Sequence, residues 1–335
     1  MGMWDAARAF PEQIERAAKV GGWIGLPSHD EIENVVILGM GGSGLAGDVV
    51  TSVAGPFMPV PIVVTKNYEP PNFVGPSTLC FAISFSGNTE ETVEAAQTAA
   101  LAGAHMVVIA KGGELAQLAQ SWEAALIGVP DDIPSPRAGV AAMLVPALLV
   151  LEEMGLFPGA SEWVDLGVQQ LKVRRDELVK EQNGARELAR RIGRTIPLVY
   201  GGGGLGTVAA VRWKNEMNEN PKIPAFMHTV PELTHNEIAG WAQYGDMTRQ
   251  VLTLVLLRHD HEHPQIMRRF DLVRKWTEEV VAGIEEVQAA GEGRLAQVLD
   301  LMYYGTMVSL HMAANEGVDP GPVAVLDDVK ATLAN

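Results

Sequence analysis

Cysteine is almost absent from this sequence: Cys80 stands alone among 335 residues. That excludes a disulfide framework and any metal site built wholly of cysteines, and a reducing compartment, the cytoplasm, is its simplest setting. Aromatic residues are scarce at 6%, whereas hydrophobic residues in total reach 47%. Any core must therefore be mostly aliphatic, and the length suffices for two ordinary domains. Basic residues are outnumbered, 25 Lys and Arg against 41 Asp and Glu, for a formal charge of −16. Such a balance lacks the clustered cations that a nucleic-acid backbone demands, so the excess charge reads as solubility. An anionic small ligand would have to be held by backbone N–H groups, hydroxyls and a few well-placed cations. Long apolar runs are missing too. A membrane helix needs about 20 such residues, and the closest approach, residues 138–157, is broken by Pro146 and carries Glu152 and Glu153. It reads as a buried domain helix. The opening segment, with early acids and no continuous apolar core, is expected to form an amphipathic helix rather than a secretion signal.

Between residues 34 and 110, short runs rich in Val, Ile and aromatic residues alternate with helical patterns: NVVILGM, PVPIVVTKN, STLCFAISFS and HMVVIAKG. Each run has the length and composition of a buried strand. The alternation predicts an α/β fold with a parallel sheet and helices on both faces. The second half restarts with TIPLVYGGGGLGTVAAVRWKNEMNEN, a strand, a Gly-rich turn and a helix resembling VVILGMGGSGLAGDVV in the first half. This predicts an internal structural duplication. IPAFMH and QVLTLVLLRH are further strand candidates, and helices are expected from about Pro264 onward. The expected division is a first domain with its leading helix over 1–155, a solvent-facing helical connector over 156–194, and a second domain over 195–335.

The segment from Gly39 to Gly44 follows a strand and precedes a helix expected to begin near Leu45, a setting in which glycines let backbone N–H groups approach an anion. It also fits G-x-G-x-x-G, but the dinucleotide fingerprint needs an acid at the end of the second strand. That strand ends Val64-Thr65-Lys66-Asn67, and Glu69 comes late. The deciding segment is Ser84-Phe85-Ser86-Gly87-Asn88-Thr89, again between a strand and a helix. Its hydroxyls at a helix N-terminus suit a phosphate monoester, and a dinucleotide site has no use for them. An ordinary N-cap explains one hydroxyl; it does not explain the run.

Isomerising a phosphorylated sugar between aldose and ketose moves a proton between C1 and C2, which calls for a carboxylate base and for positive charge near the developing oxyanion. Asn218-Glu219-Asn220 and Pro231-Glu232-Leu233-Thr234-His235-Asn236-Glu237 supply candidates. By residue type alone Glu216, Glu219, Glu232 and Glu237 are interchangeable. Pro221, Pro224 and Pro231 rule out one helix carrying both Glu219 and His235.

The paired Gly-Ser and Ser-x-Ser-Gly-x-Thr loops resemble those of the sugar isomerase (SIS) domain family, and the Trp-Lys…Asn-Glu-Asn and Pro-Glu-Leu-x-His-Asn-Glu-Ile patterns resemble those of its bifunctional phosphoglucose/phosphomannose isomerases. The resemblance implies two SIS subdomains, each a parallel sheet flanked by helices in a flavodoxin-like three-layer sandwich. It assigns phosphate binding to Gly42, Ser43, Ser84, Ser86 and Thr89, and proton transfer to Glu219. Ring opening falls to His235, given by the neighbouring subunit of a homodimer, with help from Lys330. Arg137, in Ser135-Pro136-Arg137-Ala138-Gly139, matches the arginine that steadies the enediolate. No cofactor and no metal are implied. Gly321 stands where relatives often carry a threonine, which bears on whether both C2 epimers are used. A sugar-phosphate sensor would keep the serine loops and lack the catalytic acid and histidine.

Four other features are read as structural. His259-Asp260-His261-Glu262-His263 is expected to be a solvated loop rather than a metal site, and the glycines at 201–204 a tight turn. Cys80 is expected in the core, and Trp213, Trp241 and Trp276 in packing roles.

Overall fold

The computed structural model describes residues 2–21 and 26–333. The chain divides into two compact units, one formed mainly by residues 8–171 and the other mainly by residues 172–291 and 297–335.

The short helix α1 (Met3–Arg8) belongs with the second unit except for Arg8; in the first unit, α2 (Phe10–Ala17) precedes five strands. These are β1 (Asn34–Leu38), β2 (Ile62–Thr65), β3 (Thr78–Ser84), β4 (His105–Ala110) and β5 (Ala125–Gly128). They form one parallel sheet in the order β2-β1-β3-β4-β5. All seven residues of β3 are buried, as a central strand covered on both faces must be. One face packs Val36, Leu38, Cys80 and Val108 against α4 (Glu90–Leu101) and α5 (Gly113–Ser121). The other face receives α3 (Gly41–Ala54), where a Cβ on Gly47 would lie 2.9 Å from Cγ2 of Ile37. α6 (Val140–Glu153) packs with α2 and α3 on that side, buried without a break from Val140 to Leu151 despite Pro146. A helix apolar all round is what a domain interior tolerates, and among the described residues no helix is long and apolar enough to cross a membrane.

α7 (Ala160–Leu178) and α8 (Gly184–Ile192) lead to the second sheet. Its strands are β6 (Ile196–Gly202), β7 (Phe226–Val230), β8 (Leu252–Arg258) and β9 (Gly283–Gln288), all parallel, in the order β7-β6-β8-β9. One face packs Tyr200, Leu254 and Leu256 on Phe270 and Val273 of α11 (Pro264–Thr277), which follows the short α10 (Gly245–Val251). α9 (Gly203–Glu219) connects β6 to β7, and α12 (Gly293–Asn315) packs on it, with Trp213 Nε1 donating to the Leu301 carbonyl at 2.7 Å. α13 (Ala324–Leu333) closes the described chain.

The duplication is real and can be followed residue by residue. Strand order β2-β1-β3-β4 in one sheet repeats as β7-β6-β8-β9 in the other. After each leading strand comes a glycine of positive φ, Gly41 at +50° and Gly203 at +61°. Two glycines five positions apart pack backbone on backbone in each: a Cβ on Gly44 would lie 2.5 Å from the Gly39 carbonyl oxygen, and one on Gly201 would lie 1.9 Å from that of Gly206. No side chain fits either contact.

Three expectations need correction. α3 starts at Gly41, four residues before Leu45, because the fixed strand-to-helix turn compensates for glycine's poor helix propensity. The tail is not wholly helical, since β9 lies within it; its sequence GIEEVQ carries two acids because it is a partly exposed edge strand. Trp276 is 62% exposed rather than packed, with Lys275 Nζ 5.8 Å from its ring centre. Trp213 and Trp241 are buried as expected.

Cys80 is fully buried in β3, and burial alone pushes its thiol up to about 12. At pH 8 the native protein should not react with a thiol-specific chromogenic disulfide, whereas one thiol per chain should appear in guanidinium; a native-state reaction at the denatured rate would contradict the packing of β3.

Candidate active site

In the first unit the C-terminal ends of β1 and β3 carry the two loops singled out in the sequence, and the structure sews them together. The backbone N–H of Phe85 donates to Ser43 Oγ at 3.2 Å, and Ser43 Oγ donates to Met143 Sδ at 3.2 Å. Ser84 and Thr89 share a hydroxyl hydrogen bond of 2.8 Å, and Ser84 Oγ accepts from Gly87 N at 3.1 Å. Ser86 Oγ accepts from Asn88 N at 3.2 Å, and Asn88 Oδ1 accepts from Glu114 N at 2.9 Å. Ser43 and Ser84 are buried, whereas Ser86 is exposed and Thr89 intermediate. The hydroxyls thus divide into a buried pair that shapes the loops and an outer pair that can meet a ligand. Thr89 is the N-cap residue of α4, yet its side chain makes no capping bond, so the bland explanation of that hydroxyl fails. α3 and α4 both begin directly after these loops, and a helix N-terminus leaves N–H groups that can suit an anion.

Arg137 belongs to the same constellation. It lies in a single-turn helix, Pro136–Gly139, and is buried. A Cβ on Gly42 would lie 2.8 Å from the Pro136 carbonyl oxygen, and one on Gly139 would lie 2.8 Å from the Phe85 ring. The arginine's turn therefore packs against both loops, and Gly42 is glycine because that turn leaves no room.

In the second unit Glu219 is the last residue of α9, and His235 ends a single-turn helix, Glu232–His235, beyond β7. Because α9 runs back from the end of β6 to the start of β7, the five residues of β7 lie between them, roughly 16 Å of strand. The sheet thus holds Glu219 and His235 at opposite ends of one strand. Lys330 sits on α13, none of whose residues is buried. The loop bearing His235 is braced from below: the Tyr200 hydroxyl donates to Glu237, and His228 Nε2 lies 3.9 Å from the same carboxylate. Burial, with the Glu237 carboxylate second, holds the Tyr200 phenol well above its ordinary range. Sequence reading missed Tyr200 and His228, since a strand tyrosine and a strand histidine carry no signature of such a brace.

At the position equivalent to Ser84–Thr89 by strand register, the second unit has Arg258–His263, likewise ending at a helix N-cap. The solvated loop expected is found only in part, with Asp260, His261 and His263 exposed. Glu262 and His259 are buried, and the Glu262 carboxylate accepts from Arg258 at 2.8 Å and from His259 N at 3.1 Å. Where one unit has hydroxyls in this turn, the other fills it with its own carboxylate. Among the described residues no group of three His, Cys, Asp or Glu is arranged to hold a metal ion. A cavity of about 610 Å³ in the second unit, lined by residues including Arg194, Ile196, Pro221 and Glu316, contains none of the predicted site residues.

A family model described as "Bacterial phospho-glucose isomerase C-terminal SIS domain" matches residues 181–333, and one described as "SIS domain" matches residues 31–150. A "Bifunctional phosphoglucose/phosphomannose isomerase" of Caldicellulosiruptor bescii is 33% identical over 340 residues, covering 99% of each chain. A protein of the same description from Aquifex aeolicus is 32% identical over 305 residues, covering 90% of each. Among solved structures, tagatose-6-phosphate ketose/aldose isomerase from Escherichia coli has the same fold, with a TM-score of 0.69 at 14% identity, over 96% of this chain and 95% of that one.

Proposed function

The chain belongs to the bifunctional phosphoglucose/phosphomannose isomerase family, and on that premise we propose that it interconverts fructose 6-phosphate with glucose 6-phosphate, mannose 6-phosphate or both, by proton transfer through a cis-enediol(ate). The observation that carries the reading is the stitched pair of loops with the Arg137 turn packed on both. It supports phosphate binding by Gly42, Ser43, Ser84, Ser86 and Thr89, the exposed Ser86 and the N–H groups making contact while Ser43 and Ser84 hold the loop shape. His235 and Lys330 assist ring opening. Glu219 then takes the C1 proton of the open ketose and returns it to C2, while Arg137 stabilises the oxyanion as charge moves onto O2. Every step is a proton transfer, so neither cofactor nor metal enters the scheme. The cytoplasm is the compartment we propose. The working division of the chain is the one read from sequence, a first SIS domain over 1–155, a connector over 156–194 and a second over 195–335.

The test is turnover of fructose 6-phosphate by purified protein in EDTA, with both aldose phosphates quantified. Formation of either supports the reading, and binding without turnover would leave a sugar-phosphate sensor in its place. The product ratio also reports what Gly321 does to epimer choice.

The separation of Glu219 and His235 along β7 supports a site in which the histidine comes from the neighbouring subunit of a homodimer. Mixing a Glu219→Gln chain with a His235→Ala chain should then restore activity, towards about a quarter of wild type when subunits exchange at random and one of two sites is intact in each mixed dimer. If each site were built within one chain, mixing would restore nothing.

A further inference from the structure

We infer that Lys222 is a positioning residue that fixes the helix end carrying Glu219 and thereby governs both rate and the choice of C2 epimer; the inference rests on the role proposed for Glu219. Lys222 follows Asn220 and Pro221 in the turn after α9, and its φ is +60°. Lys222 lies two residues past the C-cap Asn220, and a residue with a Cβ adopts this left-handed conformation only at a cost. Such strain persists where the surroundings enforce it. Here the conformation turns the ammonium group back over the helix end. Its Nζ lies 3.3 Å from the Glu219 carbonyl oxygen, 3.3 Å from that of Asn220 and 2.7 Å from that of Asp319. Two of these acceptors close α9, where unsatisfied carbonyls and the helix dipole favour a cation.

The third acceptor makes this more than a helix cap. Asp319 opens the turn Asp319-Pro320-Gly321-Pro322, in which Gly321 N donates to Asp319 Oδ1 at 2.9 Å. That turn leads into α13, which bears Lys330. One ammonium therefore ties the backbone of Glu219 to the segment that sets out Gly321 and Lys330. From the inner side the same helix end is pinned by Asn220, which is fully buried and donates to Ser309 Oγ at 2.8 Å and to Glu216. Glu219 is thus held between an inner amide and an outer cation.

A base that hands one proton between C1 and C2 works only over a narrow range of geometry, and a misplacement of about 1 Å can cost on the order of 10²-fold. Which face of C2 receives the proton depends on how the enediolate lies against that base. Loosening the base should therefore change the epimer ratio as well as the rate, and loss of stability alone would not.

The test compares Lys222→Met, Lys222→Gly and Lys222→Arg with wild type, reading kcat, KM, the initial ratio of mannose to glucose 6-phosphate formed from fructose 6-phosphate, and the thermal midpoint. For Lys222→Met the expected result is a fall in kcat of about tenfold with KM changed by no more than about twofold, and a change of about threefold or more in the epimer ratio. Lys222→Gly relieves the backbone and should be as slow as Lys222→Met at an equal or higher thermal midpoint. Lys222→Arg should recover most of the rate and ratio. Wild-type kcat and ratio in Lys222→Gly would overturn the inference, as would a fall in rate that tracks thermal stability and is not rescued by arginine. Glu219→Gln separates the two layers of argument: full activity in that variant would remove the base assignment and this inference together. If Glu219→Gln is inactive while the Lys222 variants match wild type, the inference alone is lost.

Discussion

Replacing Glu219 with glutamine should lower kcat for fructose 6-phosphate by about 10²–10⁴-fold, the range associated with removal of a general base, while KM moves little. The substitution is nearly isosteric. Glu219 is the terminal residue of α9, and the neighbours that fix its backbone, Asn220 through Ser309 and Lys222 through the Glu219 carbonyl, do not use its carboxylate in those contacts. These backbone contacts should survive the change. What is lost is the group that accepts the proton, an interaction with no counterpart in substrate binding, so the effect belongs on kcat. Stopped-assay kinetics with both aldose phosphates measured decide it. A variant within about threefold of wild type would be too active for a lost base, and the role would have to pass to another of the four acids.

Gly87→Ala should act on substrate binding instead, raising KM by roughly 10²-fold, as the loss of one or two charge-assisted hydrogen bonds implies. Gly87 has a φ of +77°, and an added Cβ would lie 1.8 Å from the Gly112 carbonyl oxygen and 2.7 Å from its carbon. Both are backbone atoms, so no rotamer can give way. Gly87 and Asn88 also bind the start of α5, through Leu115 N to the Gly87 carbonyl at 3.0 Å and Glu114 N to Asn88 Oδ1 at 2.9 Å. The substitution must move the loop proposed to bind phosphate or the start of α5, and either movement takes Ser86 and Thr89 away from their place. Gly128→Ala is the control, because a Cβ there meets nothing within 4 Å. Measuring KM, with phosphate competition as a second readout, distinguishes the outcomes. An unchanged KM in a folded Gly87→Ala protein would show that the loop does not hold the phosphate.

The fold was legible wherever local chemistry and tertiary demand agree. Cys80 and its neighbours form a strand because a run of apolar residues between turns has few other uses, and the recurring Gly-rich turns announced the duplication. β9 was hidden because Glu285 and Glu286 lie in an edge strand, where Glu285 pairs with Arg191 rather than avoiding the sheet. The start of α3 was hidden by its glycines. The buried state of His259 and Glu262 was hidden because a charged loop looks solvated until Arg258 is seen to neutralise it.

At the candidate site, residue type in pattern marked out the two serine loops, but it could not separate the buried Ser43 and Ser84 from the exposed Ser86. That depends on which hydroxyl the neighbouring loop claims. The importance of Lys222 was out of reach for a similar reason, since its meaning lies in a left-handed backbone and in a carbonyl 97 residues away. Glu219 could be singled out from the other acids only through the family pattern, because composition gives no way to tell which carboxylate a turn will hold in place.

The most direct test of the central claim is to run the reaction on fructose 6-phosphate in D₂O and locate deuterium by NMR. The account predicts deuterium at C2 of the aldose 6-phosphate formed and at C1 of the recovered ketose, both lost in Glu219→Gln. Aldose formed without solvent deuterium at C2 would point to a hydride shift or to a fully shielded proton, and no aldose at all would contradict the assignment as an isomerase.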